Sequence, residues 1–347
     1  MAHAAQPSPE DETPIAAFRE GVVAALGGDC VLDDPDRMVP YLHESRDLYE
    51  GITPFILRPK DTDGVAQIVR LAGEHGVALV PQAGNTGLCG AQIPDESGRE
   101  VLVSLERLDH IAPADTDGDT ITVGAGAILA DVQAAADEAG RLFPLSLGSE
   151  GSARIGGLIG TNAGGTGVLA YGNMRALVLG LEVVLPDGTV WNGLRALRKD
   201  NTGYDLKHLF IGSEGTLGII TRAVLALVSK PSAIDVAMVG VASPAAALTL
   251  LAKTRAALGS ALTAFELMPR FGLEIVVKHG ANVRSPFEAA PAPWLVLIEA
   301  SSRNEPLREV LEGVLMAAYE DGTASDAVVS QSLTEAQDFW RIREQLS

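Results

Sequence analysis

Apolar residues recur along the chain with two periods, and the switch between them marks its elements. Phe55-Ile-Leu-Arg-Pro59 has the character of a strand, and a polar turn at Lys60–Asp63 follows it. Val65, Ile68, Val69 and Leu71 then recur at helical spacing up to Gly76. Val77–Val80 predicts a short buried strand, Val101–Leu105 and Ile121–Val123 two more, and Ile128–Ala139 a helix closed by Gly140. Leu177–Leu185 and Thr189–Trp191 read as a hairpin turning at Pro186-Asp-Gly188.

After Pro231 the two periods alternate. Strands are predicted over Ile234–Val241, Leu262–Leu267, Trp294–Ala300 and Ala327–Val329. Helices are predicted over Pro244–Leu258, up to about His279, over Leu307–Tyr319 and over Leu333–Leu346. That order implies an α+β layer of helices on a sheet. Its last helix meets no terminating Gly or Pro before Ser347, so the layer reads as incomplete.

Glycine divides the chain more sharply than hydropathy does. Of 37 glycines, 24 lie between Gly84 and Gly218 and six after Lys230. Because glycine admits close backbone approach and positive φ, the middle of the chain reads as built around a ligand. The boundaries expected are a disordered tail at 1–13, a ligand-binding domain at 14–230 and a second domain at 231–347.

Charge and cysteine content narrow the partners. A formal charge of −19 makes nucleic acid a poor partner, although backbone N–H groups can still bind a phosphate. Cys30 and Cys89 fit no metal or CxxC spacing and read as unpaired thiols of a reducing compartment, taken as the cytoplasm. Met1–Thr13 has neither a basic nor an apolar segment of the leader type. The apolar stretches Ala176–Leu185 and Leu217–Val228 are interrupted by Glu182 and Arg222, so no membrane span is expected.

Three glycine-rich segments carry the chemistry. Pro81-Gln-Ala-Gly84-Asn85-Thr86-Gly87-Leu-Cys-Gly90 follows a buried strand, which suits an anion nest for a pyrophosphate as well as an ordinary turn. Gly148-Ser-Glu-Gly151-Ser152-Ala-Arg-Ile155-Gly156-Gly157, continuing through Thr161-Asn162-Ala163-Gly164-Gly165, concentrates small residues that a packed core would not select. Ile211-Gly212-Ser213-Glu214-Gly215-Thr216-Leu217-Gly218-Ile219-Ile220 feeds a loop into a β-type run able to present Ile219 and Ile220 to a flat ring, and a buried strand after a loop fits the same pattern. Gly165-Thr-Gly167-Val-Leu-Ala170 fits a dinucleotide fingerprint, but no strand precedes it and a Rossmann site is rejected.

Together the three segments resemble the FAD-binding domain of the vanillyl-alcohol oxidase / p-cresol methylhydroxylase (PCMH) flavoproteins, within them the D-2-hydroxyglutarate and D-lactate dehydrogenase branch. The resemblance implies an α+β fold: a two-subdomain PCMH-type FAD-binding domain followed by an incomplete, ferredoxin-like cap. It implies that Pro81, Gly84, Asn85, Thr86, Gly87 and Gly90 hold the pyrophosphate. Gly148, Ser149, Ser152, Ile155, Gly156, Gly157, Asn162 and Ala163 would line ADP and flavin, and Glu214, Gly218, Ile219 and Ile220 would close over the cofactor. Asn85 stands where relatives that bond FAD covalently carry a histidine, which implies non-covalent FAD.

The tail segment Phe339-Trp340-Arg341-Ile342-Arg343-Glu344 resembles the family's substrate segment. On that reading Arg343 grips the carboxylate of a D-2-hydroxy acid, D-2-hydroxyglutarate before D-lactate, with Ser347 assisting. Two solvent-facing arginines would satisfy the same pattern. The family's His-rich site for a divalent metal such as zinc, and its histidine base, have no counterpart among these 347 residues. The implied partners are a small 2-hydroxy acid and an electron acceptor: an electron-transfer flavoprotein, a quinone or a cytochrome. A homodimer is compatible with this picture, and so is a flavin-binding module without activity of its own.

Overall fold

The computed structural model describes residues 9–281, 283–287, 292–303 and 307–346. The chain divides into two compact units. The first comprises the residues up to Phe143, Ser149–Ala163 and Asn173–Val228; the second comprises Pro144–Gly148, Gly164–Gly172 and Ser229–Ser347. A single cut at 230/231 therefore misses two short segments, 144–148 and 164–172, that cluster with the second unit.

The first unit holds two four-stranded sheets. In one, Val31–Leu32 pairs antiparallel with Ile56–Leu57, and Glu100–Ser104 lies parallel between Ile56–Leu57 and Ala78–Gln82. Thr62–His75 is the helix that the spacing predicts. Asp61 caps its start by accepting the Gly64 N–H at 2.8 Å, and Gly76 ends it in the left-handed conformation. Its apolar face, with Val65, Ile68 and Val69, packs in a core with Phe18, Phe55 and Val101. The other sheet is antiparallel in the order Thr120–Gly124, Ile219–Ala226, Val178–Val184, Val190–Gly193.

The two charges that interrupt the apolar stretches turn out to be partners. Glu182 is 3% exposed, and both of its oxygens accept from Arg222, at 2.8 and 2.6 Å. Thr62 and Thr221 donate to it as well, at 2.6 and 2.9 Å. Burial alone would raise the Glu182 carboxyl, but these donors hold it below the usual carboxylate range.

In the second unit the strands run Leu262–Pro269, Trp294–Ser302, Ala233–Val241, Asp326–Val329, all antiparallel. Alternate residues of Ala233–Val241 enter two different cores. Ala237, Val239 and Val241 face Leu250 and Leu311 of the helices Pro244–Leu258 and Arg308–Glu320. Val236 and Met238 face Leu273, Phe339 and Ile342 of the helices Arg270–His279 and Leu333–Glu344. Helices thus cover both faces of this sheet, where periodicity alone suggested one layer. A period-2 strand apolar on both faces requires this, since each face must be buried.

Two expectations are corrected here. The tail at 1–13 extends too far, because a helix spans Pro9–Leu26. The glycine-rich middle also holds short helices that no periodicity reveals, among them Ile155–Gly160 and Met174–Leu177. Four to six residues are too few to show a period.

Candidate functional site

Three loops of the first unit meet, and each comes from one of the glycine-rich segments. A Cβ on Gly84 would lie 2.5 Å from the Ser152 carbonyl oxygen and 2.9 Å from the Arg154 nitrogen. The first loop is thus seated directly on the backbone of the second, an approach that only glycine permits. The third loop closes on both: the Glu214 N–H donates to Gly160 O at 3.0 Å and the Gly212 N–H to Ile159 O at 3.1 Å. A Cβ on Gly215 would fall 2.5 Å from Pro81 Cγ.

Each loop also carries a non-glycine residue in left-handed backbone: Asn85 (φ 51°), Asn162 (φ 51°) and Glu214 (φ 52°). Such residues are uncommon and persist where their surroundings hold them. The surroundings of Asn85 are explicit. Its Nδ2 donates to Pro40 O at 3.0 Å and His43 O at 2.7 Å, while Gln92 Nε2 donates to its Oδ1 at 3.3 Å and to Gly87 O at 2.8 Å. Gln82, itself buried, donates to the carbonyls of Tyr41 and Gln92. The Tyr49 ring lies against Gly90. Sequence reading missed Gln82, Gln92 and the 40–49 segment, because nothing in their spacing marks them; only the folded chain brings them under the loop.

Among the described residues, the N–H groups of Gly84 through Gly90 have no protein acceptor. An open run of N–H groups on a loop without a charged side chain fits a pyrophosphate. In the second loop Ser149 O accepts from the N–H groups of Ser152 (3.0 Å) and Ala153 (2.8 Å), and Gly156 closes on Ala125. Asn162 Oδ1 and Ala163 O accept the N–H groups of Arg175 and Met174, both at 2.9 Å.

Some expected residues lie elsewhere. Gly148 clusters with the second unit, as does the rejected fingerprint, whose helix Val168–Tyr171 is a single turn. Ile219 is buried in the core with Val184, and Ile220 is equally buried at 6% exposure. The part of the third segment that reaches solvent is the loop before them, where Leu217 is exposed. Ser347 lies outside the described residues. Arg343 lies on the helix Leu333–Glu344 of the second unit, where its Nε donates to Glu266 Oε2 at 2.7 Å.

Other charged groups are accounted for locally. His208 stands 3.2 Å from Asp205, and burial lowers its imidazole from the ordinary value while Asp205 opposes that. A concavity of about 580 Å³ is lined by charged residues including Arg58, Arg107 and Asp131. Its cations are engaged: Arg58 lies 2.6 Å from Glu106, and Arg107 donates to Arg58 O at 3.1 Å. Among the described residues no cluster of three or more His, Cys, Asp or Glu side chains could hold a metal ion, and no helix is long and apolar enough to cross a membrane.

Comparison with known proteins agrees with this geometry. Residues 53–193 match the FAD binding domain family, and residues 230–347 match the C-terminal domain of FAD linked oxidases. The "Probable D-2-hydroxyglutarate dehydrogenase, mitochondrial" of Oryza sativa subsp. indica is 40% identical over 323 residues, covering 93% of this chain and 57% of the relative. The D-2-hydroxyglutarate dehydrogenase of Arabidopsis thaliana is 37% identical over 335 residues, covering 96% of this chain and 59% of the relative. This chain therefore spans less than two thirds of those relatives' lengths. Among solved structures, p-cresol methylhydroxylase with substrate bound superposes with a TM-score of 0.76 at 18% identity, over 95% of this chain and 69% of that one. Alkyldihydroxyacetonephosphate synthase gives 0.76 at 19%, over 99% and 66%. At such identities the likeness shows the fold alone. The cytoplasmic expectation is overturned, since both plant relatives and those of Danio rerio and Bos taurus are named as mitochondrial. Residues 1–13 and two unpaired thiols are too little to fix a compartment, which is set by a recognised address and not by the fold.

Proposed function

The chain belongs to the PCMH-type FAD-linked flavoproteins, homologous to D-2-hydroxyglutarate and D-lactate dehydrogenases, and on that premise we propose that it takes part in oxidising a D-2-hydroxy acid to the 2-oxo acid. D-2-hydroxyglutarate is favoured and D-lactate comes next. The observation that carries the reading is the open N–H run from Gly84 to Gly90, seated on Ser152–Arg154 and closed by Glu214–Gly215. Bound FAD supplies the acceptor for the hydride that leaves the substrate.

In this proposal the backbone of Gly84–Gly90 receives the pyrophosphate, and Asn85 stays hydrogen-bonded to Pro40 and His43 with no bond to the cofactor. The segments Ser149–Gly157 and Asn162–Ala163 line the remainder of the FAD, and Glu214–Gly218 closes over it. Arg343 binds the substrate carboxylate with its planar fork, assisted by Ser347, and so lowers the entropic cost of orientation. A separate acceptor of the electron-transfer flavoprotein, quinone or cytochrome type takes the electrons onward.

The test is an absorbance spectrum of the purified chain, followed by anaerobic addition of D-2-hydroxyglutarate and, separately, D-lactate. A flavin band released by denaturation and bleached by substrate is the expected outcome. A protein extended to the relatives' length whose flavin no D-2-hydroxy acid bleaches would overturn the reading. The coverage of 57% and 59% favours a second reading, a flavin-binding module that needs residues outside these 347 for its base and divalent metal. A flavin that binds here but bleaches only in the extended protein would select it.

A further inference from the structure

We propose that Glu266 is the positioning residue that aims Arg343, and that it does so as one half of a two-carboxylate shelf on the sheet of the second unit. The inference rests on the reading of Arg343 as the carboxylate clamp.

The shelf is laid out by strand register. Ala264 is paired with Glu299 and Glu266 with Leu297 across adjacent antiparallel strands. Glu266 and Glu299 are therefore diagonal neighbours on one face. That face carries the helix Leu333–Glu344, held down by Ala336, Phe339 and Ile342. Trp340 and Arg343 are three residues apart on the helix, so they share one side of it.

Each meets one carboxylate. Trp340 Nε1 donates to Glu299 Oε2 at 2.7 Å, and Arg343 Nε donates to Glu266 Oε2 at 2.7 Å. Thr263, beside the irregularity between Leu262 and Ala264, donates to Glu299 Oε1 at 2.7 Å and fixes that carboxylate in turn.

The contact atom decides the consequence. A guanidinium has five N–H donors in a rigid plane. Holding it through Nε fixes the plane and leaves the Nη1/Nη2 edge, which matches a carboxylate bidentately. Among the described residues Glu266 is the one polar side-chain partner of Arg343. The pair is one-third and one-quarter exposed, so water screens it less than a surface pair. Arg341, two residues earlier, pairs instead with Asp338 of its own helix. A fork fixed before the ligand arrives loses less rotational freedom when it binds.

The experiment compares the FAD-loaded chain with its Glu266→Ala, Glu266→Gln and Arg343→Ala variants. Calorimetric titration with D-2-hydroxyglutarate gives Kd, and phenylglyoxal labelling with peptide mass spectrometry gives the modification rate of Arg343 against Arg341. E266A is expected to weaken binding about tenfold, and E266Q no more than about threefold because its amide oxygen still accepts the Nε–H. Labelling of Arg343 should accelerate several-fold in E266A while that of Arg341 stays constant. An unchanged Kd and labelling rate in E266A, with binding lost in R343A, would overturn the role of Glu266 and leave the clamp standing. Equal binding by the native chain and R343A, or binding by neither, would overturn the clamp reading and the role of Glu266 with it. Should E266A fail to fold, Glu266→Asp withdraws the same charge by one methylene and is expected to shift both readouts in the same direction.

Discussion

Between Pro81 and Gly90 the chain carries no charged side chain, whereas the helix Leu333–Glu344 and the strands beneath it carry Arg343, Glu266 and Glu299 on one face. The first region offers a ligand its main chain. Its side chains Asn85 and Gln82, with Gln92 just beyond it, are spent on holding the loop. The second offers side chains, set on a regular helix and on strands by their register. Backbone N–H groups bind charge without carrying any, so an acidic chain can hold a pyrophosphate without a cluster of cations. An arginine binds by charge and by aim, so it needs a partner to hold its plane.

The comparison predicts opposite sensitivities, and the sharpest break would come from adding atoms to the first region. Gly84→Val should abolish flavin retention through gel filtration while the far-ultraviolet circular dichroism remains native-like. The new side chain would enter space held by Ser152 O and Arg154 N. If G84V kept its flavin, the loop contact would not define the site.

Removing atoms is the complementary test. Glu182→Ala should lower the unfolding free energy by about 2–3 kcal/mol, because Thr62, Thr221 and Arg222 lose a common acceptor and Arg222, half exposed, can turn to water. The same carboxylate predicts a pH effect. Its folded pKa is lowered, so its stabilisation is present above the ordinary glutamate range and is lost as pH falls through the lowered folded value. Denaturant midpoints of native protein and E182A, compared from neutral pH down to below the ordinary glutamate range, should converge on acidification.

In the second unit, Trp340→Phe keeps an aromatic ring, though a smaller one, but withdraws the N–H from Glu299 Oε2, and should cost about 1–2 kcal/mol. A melting temperature unchanged in W340F would show that the Glu299 half of the shelf is not under tension from the helix. The smallest effect separates the two regions by salt. Between 0.05 and 0.5 M salt, taken as about a threefold change in Debye length, retention of FAD should change little or improve, while binding of the hydroxy acid weakens several-fold. Parallel weakening of both would mean that cations, and not N–H groups, hold the cofactor.

Much of this fold was legible in the sequence for a physical reason. The helices Thr62–His75 and Pro244–Leu258 and the strand Trp294–Ser302 are long enough to show their period, and Gly76 and Ser243 mark ends that backbone geometry demands. The three glycine-rich segments were legible as well, since close approach excludes every other residue at Gly84 and Gly215. That Glu182 and Arg222 are partners was not legible: forty residues apart, they read as isolated charges. Nor did the sequence decide whether Ile219 faces a ligand or the core, since a β-type run does not say which face is buried.

The sequence by itself determined the identity of the longer elements, the loops where backbone must be bare, and the family they resemble. These follow from local sterics and periodicity, which act within a few residues. Tertiary structure alone decided which loops meet, that Asn85 faces Pro40 and His43, and that Arg343 is held by Glu266. Those contacts join residues 42 to 77 positions apart, and their geometry is set by strand register and helix seating, which no local pattern encodes.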